Sequence, residues 1–204
     1  MIDAPSNRWD ERYGQAGFAY GTTPNQFLVS VMDRLPPGRV LCLGAGEGRN
    51  AIFLAQRALD VVAVDWSGVG LAKARRRAAE LGVRIRTIIA DLTEYVIDPE
   101  AWDGIVSVFC HLPPAARTRL YRAAVAGLRP GGAFVLEAYT PRQLEYGTGG
   151  PPTADLMTTL EELERDLAGL DLVVARELER EVSEGHRHKG HAAVVQVLGL
   201  KPAG

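Results

Sequence analysis

Gly44, Gly46 and Gly48 stand at alternate positions directly behind the apolar run Val40–Leu43, and Arg49-Asn50 follows them. A buried strand that runs into glycines and then into a helix lets the backbone approach a ligand closely. That is the chemistry of a nucleotide-type cofactor loop. The next residues able to do chemistry also fall at the ends of strand-like runs. Asp65 follows Val61–Val64, Asp91 follows Ile85–Ala90, and His111 comes just after Gly104–Phe109. In doubly wound sheets the ligand sits beyond the carboxyl ends of the strands, where strand order reverses. The glycine loop, Asp65, Asp91 and His111 are therefore expected to line one crevice.

Two cofactor classes suit a strand, a glycine loop, a helix and a following acid. A nicotinamide dinucleotide asks for G-x-G-x-x-G and an acid about 20 residues further on. Asp65 suits that role, but the third glycine would have to be residue 49, which is Arg49. S-adenosylmethionine has no pyrophosphate. It asks for an acid after the second strand to accept the ribose hydroxyls and an acid after the third to accept the adenine amino group. Asp65 and Asp91 supply both. Plainer readings stand beside these: turn glycines, N-caps at Asp65 and Asp91, and a solvated loop residue at Glu47. His111 either acts as a general base near neutral pH or caps the next helix. His186, His188 and His191 fit no standard zinc spacing, so no metal is expected; they form a solvated turn or rim an acceptor pocket.

The elements that must position these residues alternate. A lead-in ends at Thr23-Pro24-Asn25-Gln26, which reads as a helix start with Thr23 as N-cap, Pro24 in the first turn and Gln26 closing a capping box. Phe27, Leu28, Val31, Met32 and Leu35 then recur at helical spacing. Helices are expected over about 50–58, from Ser67 to about Leu81, from Pro113-Pro114 onward, and through Leu156, Leu160, Leu163 and Leu167. Pro130-Gly131-Gly132 turns the chain into a fifth strand, Ala133–Ala138. Two further runs, Leu172–Val182 and Ala192–Leu200, flank a short turn and must pair antiparallel. The first alternates apolar and charged residues like an edge strand; the second is apolar like a covered one. The sum is one α/β domain over residues 1–204. It is a doubly wound, Rossmann-like three-layer sandwich whose seven-stranded, mostly parallel sheet carries an antiparallel C-terminal hairpin strand. The hairpin turn is expected on the active edge, with Tyr139, Tyr146 and the loop Gly147–Pro152 as a candidate lid on the same side.

Composition excludes several classes. The 204 residues carry a net charge of −2, and the longest basic run, Arg75-Arg76-Arg77, sits in a helical pattern as a solvated face. No nucleic-acid partner is expected. No apolar stretch approaches a membrane-spanning length, and the N-terminal residues lack a signal-peptide core, so a cytoplasmic location is expected. Cys42 and Cys110 lie inside apolar runs and read as small buried hydrophobes rather than a disulfide. The sequence carries no signal for an oligomeric state.

Five segments follow one another in order: VLCLGAGEGRN, VVAVDWS, ADLTEY, WDGIVSVFCHLP and LRPGGAFVLEAY. From Val40 to Ala138 the chain resembles the class I S-adenosylmethionine-dependent methyltransferases. GEGRN and the aromatic lead-in resemble the TehB-like and thiopurine-methyltransferase-like branch. The resemblance implies S-adenosyl-L-methionine as cofactor and S-adenosyl-L-homocysteine as product. It implies cofactor contacts from Gly44, Ala45, Gly46 and Asn50, from Asp65 and Trp66, from Asp91 and Leu92, and from Phe109. It also implies that residues 1–24 fold over the cofactor through Trp9, Tyr13 and Tyr20, with Phe18 nearby. Residues 40–138 would then be the cofactor core, and 139–204 the substrate-side loop, helix and hairpin. One departure is Cys42, where the family carries an acid two residues before the first glycine; water, backbone carbonyls or Glu47 would then meet the methionine ammonium. The strand end FCHLP is not the Asn-Pro-Pro-aromatic signature of enzymes acting on DNA bases or protein glutamine. The expected acceptor is a small molecule, such as a thiol or a tellurium or selenium oxyanion. His111 is the candidate base where a proton must leave. The alternatives are an NAD(P)-dependent oxidoreductase and a non-catalytic S-adenosylmethionine-binding protein.

Overall fold

The computed structural model describes residues 5–185 and 188–203. The strands are β1 (Arg39–Leu43), β2 (Asp60–Asp65), β3 (Arg86–Ile89), β4 (Trp102–Val108), β5 (Leu128–Tyr139), β6 (Asp171–Glu184) and β7 (His188–Leu200). The helices are α1 (Pro5–Gly14), α2 (Gln26–Ser30), α3 (Arg49–Ala55), α4 (Gly68–Glu80), α5 (Pro114–Gly127) and α6 (Leu160–Asp166). The strands form one sheet in the order β3-β2-β1-β4-β5-β7-β6. The first five are parallel, and β7 runs antiparallel between β5 and β6. The expected seven-stranded doubly wound sheet is the one that forms. Its order reverses between β1 and β4, which puts a crevice at the carboxyl end of β1, where the glycine loop begins.

Period-2 alternation along the strands makes two separate cores. Leu41, Leu43, Val62, Val64, Ile105, Phe134 and Leu136 face one side and meet Leu120, Tyr121 and Ala124 of α5 and Leu163 of α6. Val40, Cys42, Val61, Ala63, Val106 and Val135 face the other and meet Phe27, Leu28, Phe53, Leu54 and Leu71 from α2, α3 and α4. Each fully buried Leu, Ile or Phe contributes about 1.5–3 kcal/mol. The sheet is fixed by both layers, so its carboxyl-end loops are held on a rigid edge.

Several local expectations need correction. The first helix after the lead-in is capped by Asn25, whose side chain accepts from the Leu28 amide; Thr23 does not cap it. Asn25 wins because it is fully buried and its amide nitrogen is also anchored, on Glu137 and Glu184. That helix ends at Ser30 and continues as a 3-10 turn, Met32–Arg34. Strand β5 starts at Leu128; its pairing with β4 skips from Trp102–Leu128 to Gly104–Ala133, so Pro130-Gly131-Gly132 bulge out of the ladder. Leu156 belongs to a 3-10 turn, Ala154–Leu156, and α6 starts only after Thr159, which forms a capping box with Glu162. Asp65 and Asp91 cap no helix. Ser67 caps α4 as expected, and Pro113, not His111, stands at the N-cap of α5.

Candidate active site

The glycine loop is pinned to the end of β2. The Gly46 amide donates to Asp65 Oδ2 at 2.8 Å, and the Ser67 amide donates to Asp65 Oδ1 at 2.8 Å. Asp65 is 8% exposed, and burial pushes its carboxyl above the ordinary value while the two amides pull it back. Asp91 folds onto its own turn, with Oδ1 accepting the Thr93 amide at 2.8 Å.

Two of the loop glycines have a stated reason to be glycine. Gly48 has φ +83°, and a Cβ there would lie 2.5 Å from the Ala74 Cβ of α4. The close helix packing that a dinucleotide loop assigns to its third glycine falls here to Gly48, one residue earlier. Arg49 is thereby released to form an ion pair, in which its Nη2 meets Glu184 Oε2 of β6 at 2.6 Å. Gly46 has φ +53°, and a Cβ there would lie 2.8 Å from the Tyr13 hydroxyl. So the space that Gly46 leaves is taken by the lead-in.

That lead-in lies over the loop. Tyr13 of α1 is 5% exposed. Trp9 stacks on Tyr13 at 5.6 Å, Tyr20 meets Tyr13 edge-on at 6.3 Å, and Arg12 donates to the Tyr20 hydroxyl at 2.9 Å. Latches hold it down. Ser67 Oγ donates to Asp10. Lys73 of α4 shares its three protons among four acceptors, the Tyr13, Gln15 and Gly17 carbonyls and Glu47. Glu47 is not a solvated loop residue: it pairs with Lys73 at 2.6 Å and accepts the Ala19 amide at 2.7 Å. It lines the smaller cavity, but its charge is already balanced by Lys73, which weakens its case as a replacement for the family's acid. Cys42 offers no such replacement, since burial pushes its thiol up to about 12.

Two cavities open here. The smaller, about 70 Å³, is bounded by the loop residues Gly44, Ala45, Gly46 and Asn50, by Trp9, Tyr13 and Tyr20, and by Phe109 and His111. The larger, about 680 Å³, lies beyond it under the loop Gly147–Pro152. Trp9, Tyr20 and His111 line both. Phe109 takes a left-handed φ of +51°, a costly conformation for a bulky residue. It sits between the end of β4 and His111, with its ring 4.6 Å from Tyr139. The His111 ring stacks on Tyr139 at 5.8 Å.

The other expected residues are distributed as follows. Asp65, Trp66, Asp91 and Leu92 do not line the smaller cavity; Asp65 lies behind it, bonded to the Gly46 amide of the loop that does. Leu92 is buried in the core. Asn50 Oδ1 is engaged by the Asn25 amide at 2.9 Å. The loop Gly147–Pro152 does cover the larger cavity, but Tyr139 is buried beneath it and Tyr146 packs on His191 at 4.9 Å. His191 does not rim that cavity; it pairs with Glu179 at 2.9 Å and Glu181 at 3.4 Å. His186 and the side chain of His188 lie outside the described residues.

Sequence reasoning missed a buried polar cluster beside the loop. Glu137, fully buried on β5, accepts from Arg180 Nε at 2.8 Å and Nη2 at 2.7 Å, from Gln196 at 2.7 Å and from Asn25 at 2.5 Å. The signal available was a lone carboxylate inside the apolar run AFVLEAY.

Residues 40–132 match the model of a methyltransferase domain. The ubiquinone/menaquinone biosynthesis C-methyltransferase UbiE of Geotalea daltonii is 27% identical over 148 residues, covering 70% of this chain. The chain spans 63% of the length of that relative. Two solved structures share the fold at low identity. One, from work on conversion of a disulfide bond into a thioacetal group during echinomycin biosynthesis, has a TM-score of 0.78 at 17% identity, covering 98% of this chain and 94% of that one. The other, TehB from Haemophilus influenzae, has a TM-score of 0.72 at 18% identity, covering 96% and 66%. Residues 40–132 thus match a methyltransferase domain, set on a sheet whose fold these two structures share.

Proposed function

We propose that the protein transfers the methyl group of S-adenosyl-L-methionine to a small molecule held in the larger cavity. One observation carries this: a glycine-loop cavity and an acceptor-sized cavity meet at Trp9, Tyr20 and His111. Such a junction suits transfer between two ligands. A purely cofactor-binding protein has no use for the second chamber, which lies within the usual range for small-molecule pockets of about 300–1,000 Å³.

The residues suit the cofactor in kind. The Asp65 carboxylate retains lone pairs for ribose hydroxyls beyond the two amides it accepts. Asp91 and the Leu92 backbone stand next along the strand ends for adenine. Gly44 and Gly46 let the loop backbone pack closely on Cys110 and Tyr13 at the edge of the smaller cavity. Bound there, S-adenosylmethionine supplies an electrophilic methyl group whose bond to sulfur breaks as a nucleophile's lone pair takes the carbon, leaving a thioether. The protein's own part is to hold the acceptor in line and keep water out. Trp9 and Tyr20 wall the junction, and their faces suit a sulfonium. His111 takes the proton from a hydroxyl or ammonium acceptor; a thiolate needs no base. The names of relatives point to quinol carbon as one nucleophile, and the TehB likeness to a chalcogen oxyanion as another.

The test is calorimetric titration with S-adenosylhomocysteine and NADH, followed by transfer of labelled methyl groups to thiol, phenol and oxyanion panels. Binding of the sulfur nucleotide without NADH is expected. His111→Asn is expected to lower hydroxyl methylation by about 10²–10⁴-fold while sparing thiols. Binding of NADH alone would overturn the reading.

With α1 in this position the smaller cavity, about 70 Å³, is far below what a cofactor of this size fills. We read α1 as a lid over this cavity, with Lys73 as one of its latches. Removing Lys73 while sparing Glu47 a stranded charge, as in the double variant Lys73→Met/Glu47→Gln, is expected to raise both association and dissociation rates of S-adenosylhomocysteine roughly tenfold, about one charge-assisted hydrogen bond's worth. Stopped-flow fluorescence of the lead-in aromatics reads this directly. An association rate equal to that of the parent protein would mean that α1 does not gate entry.

A further inference from the structure

The larger cavity has a one-sided charge. Arg8 and Arg12 of α1 stand on one wall and Lys189 of β7 on another, with His111 at the junction, and among the described residues that line it there is no Asp or Glu. The chain as a whole has 25 acidic and 23 basic residues. A concavity that gathers three cations without a carboxylate, in a protein of net charge −2, runs against its own composition. Cations placed together in a recess repel one another, and the arrangement is stabilised by a ligand of opposite sign.

Arg12 is set up for such a ligand. Its guanidinium lies 4.8 Å over the Trp9 ring and donates to the Tyr20 hydroxyl, which fixes the plane of the fork while leaving further N–H groups for an acceptor. The remaining walls mix apolar and polar surface: Trp9 and Leu156, the Tyr20 ring and hydroxyl, and the stretch Gly147–Pro152, where Thr148 adds a hydroxyl. A chamber of about 680 Å³ is much too large to be shaped around a bare inorganic oxyanion.

Resting on the methyltransferase reading above, we propose that the acceptor is an organic anion: a carboxylate or similar oxyanion carried on a flat apolar body. Its charge meets Arg8, Arg12 and Lys189, its body lies against Trp9 and Leu156, and its nucleophilic atom is turned to His111. Charge selects the ligand and draws it in; the apolar walls set which part of it reaches the junction.

The experiment uses the full chain saturated with S-adenosylhomocysteine. Calorimetry then compares matched probes at millimolar concentration: benzoate against benzamide, and phenyl phosphate against benzyl alcohol. The anion of each pair is expected to bind at least about tenfold tighter, equivalent to about 1.4 kcal/mol. Added salt is expected to shrink the difference. Arg12→Gln and the paired variant Arg8→Gln/Lys189→Gln should each reduce it, the latter at two exposed positions where folding is not at risk. Equal binding of the neutral probes, no binding of either anion, or a preference that survives all three substitutions overturns the proposal. Failure of S-adenosylhomocysteine to bind at the outset strikes instead at the cofactor reading.

Discussion

On the proposed reading of Asp65 as the ribose acid, Asp65→Ala is expected to weaken S-adenosylhomocysteine binding by at least about 100-fold, because hydrogen bonds to a charged group are worth about 1.5–3 kcal/mol each and two ribose hydroxyls would lose theirs. The loss has a second source. Asp65 also fastens the glycine loop by accepting the Gly46 and Ser67 amides, so the variant frees the loop as well as removing the acceptor. Asp65→Asn separates the two, since its single carbonyl oxygen can still hold one amide. It should bind more weakly than the parent and more tightly than the alanine variant. The carboxylate also makes a pH prediction. Burial, with a contribution from Asp10, raises its pKa from the ordinary 3.8. Cofactor affinity should therefore start to fall at a higher pH than an exposed aspartate would dictate, as the carboxylate takes up a proton. Stability moves the other way. A carboxyl whose folded pKa exceeds its unfolded one binds more protons when folded, so its ionisation costs stability above the folded pKa. That cost is relieved as pH falls toward 3.8. Titrations of affinity and of unfolding midpoint, each referenced to Asp65→Asn, should diverge over that interval. Parallel curves would remove Asp65 from the ribose site.

The parts of this architecture legible in the sequence are those written in local pattern. Val40–Leu43 and Val61–Val64 alternate between two cores, and glycines, prolines and acids punctuate their ends, so the parallel units and the strand-end residues could be placed without tertiary knowledge. The hairpin was legible for the same reason: charged residues recur along β6 and are missing from Ala192 to Leu200 of β7. What could not be read is where long-range partners decide. Thr23-Pro24 is a respectable helix start, but Asn25 is held from behind by Glu137 and Glu184, residues 112 and 159 positions away. Gly48 reads as a loop glycine until Ala74 of α4 is known to lie against it. Arg49 argued only against a dinucleotide; its actual partner, Glu184, fell in the turn beyond the run Leu172–Val182. The three cations of the larger cavity come from an N-terminal helix and a C-terminal strand that no local periodicity connects.

The Glu137 cluster is where those long-range partners carry the most energy. Glu137→Ala strips the acceptor from Arg180, Gln196 and Asn25 at once, in a place where Glu137 has no exposure and the Arg180 side chain only 12%. Breaking one side of a buried pair costs about 3–5 kcal/mol, because the partner is left charged and unsolvated. For a domain of this size that is a fall in Tm of about 6–20 °C. Scanning calorimetry measures it, and a fall under about 2 °C would contradict the argument. The same cluster also reaches the site. Asn25 holds Asn50 through its own amide, Glu184 holds Arg49, and the two are joined by the Asn25–Glu184 bond at 2.8 Å. The lead-in, the glycine loop and the β6 edge are thus tied at one point. Replacing both charges, as in Glu137→Met/Arg180→Met, removes the stranded ion and is expected to recover most of the lost stability, since apolar side chains of similar volume substitute well for a buried pair. It leaves Asn25 with one of its two side-chain acceptors, Glu184. The double variant should therefore melt near the parent protein yet bind S-adenosylhomocysteine more weakly. That split is what a positioning role requires, and a purely structural cluster would not produce it: there, affinity would recover together with Tm.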